Sequence, residues 1–147
     1  MPTRSARTEW TGGLQDGSGR VALVSSGVGT YDVSFPKRSA VDADGTTSPE
    51  ELIAAAHSSC FAMACSAEIG SAGGTVQALN VDTDVTLDSD PAGGFRISTI
   101  KLTVRGKVTG LDEAGFLKAA EAAKAGCPIS KALAGVENIE LDAALES

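Results

Sequence analysis

Hydrophobic and polar residues alternate along three segments in the second half of the chain, at 79–88, 100–108 and 139–145. A period of two with one polar face is typical of strands that are buried on one side. A stretch rich in Asp and Gly, residues 88–94, separates the first two segments. Such a stretch between two strands predicts a hairpin loop.

Glycine-rich turns divide the N-terminal part of the chain into shorter strand-like runs, at 8–14, 20–25 and 30–35. Short runs separated by turns of this kind predict an antiparallel meander. The polar residues 36–47 that follow show no apolar period, and we expect a loop there.

A strong helix start comes after this loop. Ser48 predicts the N-cap, Pro49 fits the first helical position, and Glu51 completes a capping box. Residues 52–69 contain no Gly or Pro and are apolar nearly all round. This pattern is typical of a helix that is buried on most sides.

A second helix is predicted at 112–125, and a short one at 129–133 follows the break at Gly126, Cys127 and Pro128. The apolar positions of the second helix predict its inner face, which comprises Phe116, Leu117 and Ala120.

The order of elements is three strands, a helix, two strands, a helix and a strand. Helices do not alternate with strands one by one, so the order predicts an α+β fold with antiparallel sheet rather than a doubly wound α/β fold. A single sheet of six strands hardly covers a long helix that is apolar on nearly all sides. We therefore expect a second subunit to cover the rest.

Composition narrows the function classes. The chain has 147 residues, which suits a single domain over 1–147, and its formal net charge is -7. An acidic chain with 4% aromatic residues does not suit nucleic-acid binding, because phosphate contacts need a basic face. The N-terminus shows no apolar leader, and the most apolar run, residues 52–67, is short and contains His57. We expect a cytoplasmic protein without a membrane span.

Three cysteines, Cys60, Cys65 and Cys127, and the single histidine, His57, are the candidates for chemistry. Cys60 and Cys65 lie five residues apart on one helix, a rotation of about 140°, so Cys65 faces away from Cys60. That rotation disfavours a zinc site, and the missing Gly-x-Ser-x-Gly elbow disfavours a serine hydrolase. All three cysteines also fit small buried hydrophobic residues. His57 fits a buried or interface position, and a role in tuning Cys60 stays open.

Two separated motifs carry a family resemblance. Residues 48–63, SPEELIAAAHSSCFAM, and residues 124–130, KAGCPIS, resemble the two signatures of the OsmC/Ohr family, the osmotically inducible and organic hydroperoxide resistance proteins. The spacing of the two cysteines and the order of strands and helices fit this family over essentially the whole chain. The form of both motifs resembles the OsmC branch more than the Ohr branch.

The resemblance implies a thiol-dependent peroxidase that reduces organic hydroperoxides to alcohols. By position, Cys60 matches the peroxidatic cysteine, Cys127 matches the resolving cysteine, and Glu50 matches a glutamate that pairs with an arginine. Arg38 is the first candidate for that arginine and Arg20 is the second. A guanidinium next to the peroxidatic thiol would lower its pKa. An external dithiol would then reduce the disulfide formed during turnover.

We expect no metal and no cofactor. Glu50 and Cys60 lie ten residues apart, about 15 Å along a continuous helix, yet the resemblance places both in one site. The two statements agree in an intertwined homodimer, with antiparallel sheets wrapped around two central helices and each site shared between subunits. The alternative is a non-enzymatic, structural or stress-associated dimer with inert buried cysteines. In the peroxidase reading, three apolar side chains would favour alkyl or lipid hydroperoxides over hydrogen peroxide: Phe61, Met63 and Phe116.

Overall fold

The computed structural model of the protein describes residues 1–146 and divides into two compact units. The first unit spans Met1–Leu52, and the second begins at Ile53. The six strands of the described chain form two three-stranded sheets. The α+β class is confirmed, and the single domain over 1–147 stays a prediction.

The first sheet is the antiparallel meander that the turns predict. Its strands are β1 (Arg7–Thr11), β2 (Ser18–Ala22) and β3 (Thr30–Val33), and they pair in chain order. Gly19 in β2 lies opposite Trp10, and a Cβ at this glycine would come within 2.9 Å of the Trp10 ring. The glycine therefore leaves room for the indole on this face of the sheet.

The stretch predicted as a loop at 36–47 begins with a helical turn, α1 (Phe35–Arg38). Ser34 is its N-cap, and the Ser34 hydroxyl accepts a hydrogen bond of 3.3 Å from the backbone N–H of Lys37. Proline at the start of this turn presets the helical φ angle. The prediction missed α1 because a single turn is too short to show an apolar period.

The long helix, α2 (Pro49–Ser71), begins where the capping motif predicts. The Ser48 hydroxyl accepts a hydrogen bond of 3.1 Å from the backbone N–H of Glu51. Beyond its first turn, α2 buries a single stripe of side chains spaced four residues apart. This stripe faces the core of the second unit and comprises His57, Phe61, Cys65 and Ile69, none of which is exposed.

The rest of α2 is apolar but uncovered within the chain. Only 22% of its most apolar window is buried, and Met63 on its surface is 74% exposed. By length and composition alone, this 23-residue helix is long and apolar enough to cross a membrane, unlike the shorter run 52–67. Exposed apolar surface of this kind is typical of an interaction site.

The second sheet contains β4 (Thr75–Ser89), β5 (Phe95–Thr109) and β6 (Asn138–Leu145). β4 and β5 form the predicted antiparallel hairpin. β6 pairs with β5 in parallel, so the prediction of purely antiparallel sheet was wrong for this strand. The helices between β5 and β6 bring the chain back to the end of the sheet at which β5 begins. β6 therefore runs in the same direction as β5, and the pairing is parallel.

The connection holds α3 (Glu113–Gly126) and α4 (Pro128–Ala132), and α3 packs on the core of the second unit. Leu117, predicted on the inner face of α3, is 44% exposed, because the buried face runs through Ala119 and Ala123 instead. The core of this unit combines α2, α3 and β5, and its buried members are Phe61, Cys65, Ile69, Leu102, Val104, Phe116, Ala119, Ala120 and Ala123.

Candidate active site

The structure brings together the two cysteines that the family resemblance pairs. The sulfur atoms of Cys60 and Cys127 lie 2.9 Å apart, although the residues are 67 positions apart in the chain. Both are free thiols. A disulfide has a sulfur–sulfur length of about 2.05 Å, so closing the bond requires a shift of only ~1 Å.

Local backbone chemistry places Cys127 at this point. It ends α3, where its backbone N–H donates to the carbonyl of Ala123 at 2.8 Å, and it also precedes the first residue of α4, Pro128. A residue before proline avoids the helical conformation, and Cys127 has a ψ angle of 124°. The resulting break between the two helices directs Cys127 towards Cys60 on α2.

The environments of the two thiols differ. Burial raises the pKa of Cys60, and the contact with the Cys127 thiol raises it further. Burial alone would also raise the pKa of Cys127, but the neighbouring Cys60 thiol and the polar groups of Ser130 and Ile129 lower it overall.

Cys65 belongs to the core. It is fully buried in the cluster around Phe61 and Phe116. Burial, with a smaller contribution from Glu68, raises the pKa of its thiol to about 11. A protonated thiol in an apolar core is a poor nucleophile, since the thiolate is the reactive form.

The first unit supplies an arginine–glutamate pair. Arg38 Nη2 donates to Glu50 Oε1 at 2.7 Å, and Arg38 Nε lies 3.1 Å from both carboxylate oxygens. The Glu50 side chain is 9% exposed and that of Arg38 is 35% exposed. The hydrogen bonds to Glu50 raise the pKa of the guanidinium, which stays cationic. Arg20 instead pairs with Asp32 at 3.3 Å on the exposed surface.

His57 has a partner that the sequence did not indicate. Its Nε2 lies 2.7 Å from the hydroxyl of Ser130, which is buried in α4 three residues after Cys127. Burial lowers the pKa of His57, so the ring is neutral near pH 7. Ser130 is the last residue of the second motif, but the motif alone does not indicate that it contacts His57.

Two of the three predicted substrate-contacting side chains are in the core. Phe61 and Phe116 are fully buried among the residues of the second unit, so they are not open to a substrate within one chain. Met63 is exposed on α2. The rings fill the space between α2, α3 and the sheet, a packing role that a list of apolar residues near a cysteine does not reveal.

An apolar groove lies in the first unit, beside Arg38. Its volume is about 310 Å³. Trp10 and Leu14 on its wall remain 43% and 60% exposed. No hydrophobic pattern in the sequence indicates this groove, although a lone tryptophan in a short exposed strand is an unusual feature. Its lining residues are Thr8, Trp10, Leu14, Val21, Val33, Ser34, Phe35, Arg38, Pro49 and Leu52.

Metal binding has no support in the described part of the chain. Among residues 1–146, no group of three or more His, Cys, Asp or Glu side chains is arranged to hold a metal ion. The second unit contains two thiols that are close enough to form a disulfide. The first unit contains a guanidinium that a carboxylate orients.

Comparisons with known proteins identify the family of the chain. The profile of the family described as OsmC-like protein matches residues 42–142. Peroxiredoxin OsmC of Escherichia coli (strain K12) is 37% identical over 144 residues, which cover 98% of this chain and 97% of that protein. An organic hydroperoxide resistance protein from Elizabethkingia anophelis has a TM-score of 0.76 at 28% identity, covering 100% and 97%. The organic hydroperoxide resistance protein OhrB of Bacillus subtilis has a TM-score of 0.70 at 28% identity, covering 97% and 98%. The chain belongs to the OsmC-like protein family.

Proposed function

We propose that organic hydroperoxides are the substrates of this protein, which is a thiol-dependent peroxidase. The observation that supports the proposal most directly is the 2.9 Å approach of Cys60 and Cys127, two free thiols in the two family motifs. A second supporting observation is the Arg38–Glu50 pair, since an oriented guanidinium can stabilise an anion.

The proposed reaction has three steps. The Cys60 thiolate attacks the distal oxygen of the hydroperoxide, the O–O bond breaks, and the alkoxide takes a proton to become the alcohol. Cys60 is now a sulfenic acid, and the Cys127 thiolate attacks its sulfur to form a disulfide and release water. An external dithiol then reduces the disulfide and restores both thiols.

Cys60 needs a cation beside it before it can act as the nucleophile. Within one chain, burial raises the pKa of Cys60, which keeps this thiol protonated. A neighbouring guanidinium favours the thiolate. We assign this role to Arg38, which Glu50 holds by hydrogen bonds from Nε and Nη2.

A homodimer brings the two halves of the site together. α2 is continuous over Pro49–Ser71, so the ten residues from Glu50 to Cys60 rise by about 15 Å along its axis. This separation argues that Arg38 and Glu50 of one subunit serve Cys60 of the other. The uncovered apolar surface of α2 supports the same arrangement, with a second α2 helix rather than lipid as its cover. We infer that the protein is a dimer that acts in the cytoplasm.

The organic part of the substrate fits the apolar groove beside Arg38. The groove has a volume of about 310 Å³, and the exposed indole of Trp10 lies on its wall. An apolar wall favours an alkyl group, because burying apolar surface gains about 25 cal/mol per Å². Hydrogen peroxide has no such group and gains nothing there.

The test is the consumption of cumene hydroperoxide in the presence of a dithiol reductant. Wild-type protein should turn over many equivalents, and Cys60→Ser should turn over none. Cys65→Ala is the matched control, since it removes a thiol from the core of the same helix, and it should retain activity. Slower consumption of hydrogen peroxide than of cumene hydroperoxide should accompany this result. No consumption by wild-type protein would instead favour a structural dimer with inert cysteines.

The roles of the two cysteines are tested in single turnover. Cys127→Ser should release one alcohol per subunit and then stop, because the first oxidation needs only Cys60 while recycling through a disulfide needs both. A burst of one alcohol per subunit in Cys60→Ser would reverse the two roles.

A further inference from the structure

His57 is a buried polar group to which the proposed reaction gives no role. Its side chain is fully buried on α2. Nε2 lies 2.7 Å from the hydroxyl of Ser130, and the buried Nδ1 has no hydrogen-bond partner in the described part of the chain. A buried polar atom without a partner lowers stability. An apolar residue at this position would avoid that loss of stability. The buried imidazole of His57 therefore points to a role other than packing.

The hydrogen bonds select one tautomer of His57. With the proton on Nδ1, the ring would have a buried N–H donor that no acceptor satisfies. With the proton on Nε2, that N–H donates to Ser130 Oγ, and Nδ1 is left as an unprotonated acceptor. The second arrangement leaves no unsatisfied donor. It also frees the hydroxyl proton of Ser130 to donate elsewhere.

The Ser130 side chain shares the first turn of α4 with Cys127. Ser130 lies in α4, three residues after Cys127. Cys127 is the N-cap of α4 and Ser130 is its third residue, so their buried side chains share the first helical turn. The Ser130 side chain lowers the pKa of Cys127 against the effect of burial, as a hydrogen bond to the sulfur does. A thiolate accepts such bonds better than a thiol does, because donors favour the charged form.

We infer that His57 and Ser130 form a relay that positions Cys127 as the attacking thiolate of the disulfide-forming step. His57 Nε2–H donates to Ser130 Oγ, and Ser130 O–H donates to the Cys127 sulfur. The inference rests on the proposed peroxidase function. His57 and Ser130 are positioning residues, since neither touches the hydroperoxide.

In this step the Cys127 thiolate gives an electron pair to the sulfur of the Cys60 sulfenic acid. The sulfur–sulfur bond forms, the sulfur–oxygen bond breaks, and the departing hydroxide takes a proton from solvent to become water. The relay neither gains nor loses a proton. Its contribution is a larger thiolate fraction and a fixed direction of attack for Cys127.

The relay is tested first without any peroxide. In Cys60→Ser protein, titration of the thiolate absorbance reports Cys127, because Cys65 ionises only near pH 11. All variants in this test carry Cys60→Ser, so Cys60 never titrates, and differences in the Cys127 titration come from Ser130 or His57. Ser130→Ala should lower the thiolate fraction of Cys127 at neutral pH about tenfold, which equals one pKa unit. His57→Leu should act in the same direction, and His57→Gln should restore part of the loss, since its amide N–H also donates.

The double variant separates a relay from two independent effects. If His57 acts through Ser130, adding His57→Leu to Ser130→Ala should not change the Cys127 titration further. Additive shifts would overturn the relay, and so would a normal titration in either single variant. Folding is checked in each variant by far-ultraviolet circular dichroism. The matched control, Ser89→Ala, removes an exposed hydroxyl at the end of β4 and should titrate like the Cys60→Ser parent.

The second test measures the step itself. After one equivalent of cumene hydroperoxide, dimedone traps any Cys60 sulfenic acid that Cys127 has not yet attacked. Ser130→Ala and His57→Leu should increase trapping severalfold over wild type and over Ser89→Ala, and equal trapping would overturn the relay. If wild-type protein gives neither sulfenic acid nor disulfide, the peroxidase proposal fails, whereas the absorbance titration still reports on the hydrogen bonds.

Discussion

The bidentate geometry of a single side chain distinguishes Arg38 from the other arginine considered. Arg38 meets the buried carboxylate of Glu50 through Nε and Nη2, whereas Arg20 lies on the exposed surface beside Asp32. Arg38→Lys keeps the charge but loses the planar fork. We expect kcat/KM for cumene hydroperoxide to fall by ~100-fold, the lower end of the loss that removal of one oriented donor causes.

Arg20→Lys is the matched control for this prediction, and its kcat/KM should equal that of the wild type. Steady-state kinetics of the two variants, measured side by side, give the comparison. A large loss in Arg20→Lys together with full activity in Arg38→Lys would exchange the two assignments.

The buried thiol of Cys65 makes stability depend on pH in the alkaline range. Its pKa is about 11 in the folded protein, against about 8.5–9 for an unfolded cysteine. A raised pKa favours the folded state fully below pH 9, and this contribution is lost as the pH rises towards 11. A shift of about two units corresponds to about 2–3 kcal/mol.

Urea denaturation of wild type and Cys65→Val measures this effect. Valine has a similar size and no titrating group, so other alkaline titrations cancel in the difference between the two proteins. The free energy of unfolding of the wild type should fall relative to that of Cys65→Val between pH 9 and 11. A constant difference over this range would show that Cys65 titrates normally.

At the scale of one element, α3 depends on its N-cap. The Asp112 carboxylate accepts a hydrogen bond of 2.7 Å from the backbone N–H of Gly115. Asp112→Ala should lower the free energy of unfolding by about 1 kcal/mol. Asp112→Ser retains an oxygen acceptor and should lose far less. An equal loss in both variants, measured by denaturation, would mean that the charge rather than the cap stabilises the helix.

The elements could be predicted where the pattern is long or the capping chemistry specific. The alternating segments 79–88 and 100–108 lie within β4 and β5, and the N-cap Ser48 predicts the start of α2. The turn α1 and the parallel pairing of β6 could not be predicted in this way. The turn α1 comprises only four residues, which is too short for a pattern. The direction of β6 depends on how the helical connection brings the chain back along the sheet.

Part of the candidate site could also be predicted from the sequence, and part could not. The resemblance identifies Cys60, Cys127 and Glu50, because motifs preserve the local sequence around reactive residues. Contacts between distant segments carry no such signal, so the bond between His57 and Ser130, 73 positions apart, was missed. Burial was also hard to predict, since an apolar ring such as Phe116 suits a core as well as a substrate pocket.

At the scale of the whole molecule, α2 connects stability to function. One stripe of the helix is buried in the second unit, and most of its remaining apolar surface is uncovered. In the proposed dimer, burying that surface stabilises each subunit, and the same contact brings a guanidinium to Cys60. A monomeric form should therefore be both less stable and inactive, because the thiol would keep its raised pKa.

The shared site gives the last prediction, which concerns complementation between two inactive variants. Glu50→Ala should disable one half of each site and Cys60→Ser the other half. In a mixed dimer, one site then combines the intact Arg38–Glu50 pair of the Cys60→Ser subunit with the intact thiols of the Glu50→Ala subunit. Co-expression with two different tags, followed by purification on both tags, isolates this mixed dimer. Its peroxidase activity should reach about half that of the wild type, since one of two sites is complete.

Absence of activity in the mixed dimer would mean that the whole site lies within one subunit. If the site lay within one subunit, each variant would be inactive whatever its partner, and the doubly tagged dimer would show no activity. The two variants themselves, carried through the same tags and purification, are the matched controls and should both stay inactive. Recovery in the mixed dimer alone requires that Glu50 and Cys60 act across the subunit boundary. The ten residues that separate them on one continuous helix call for that arrangement.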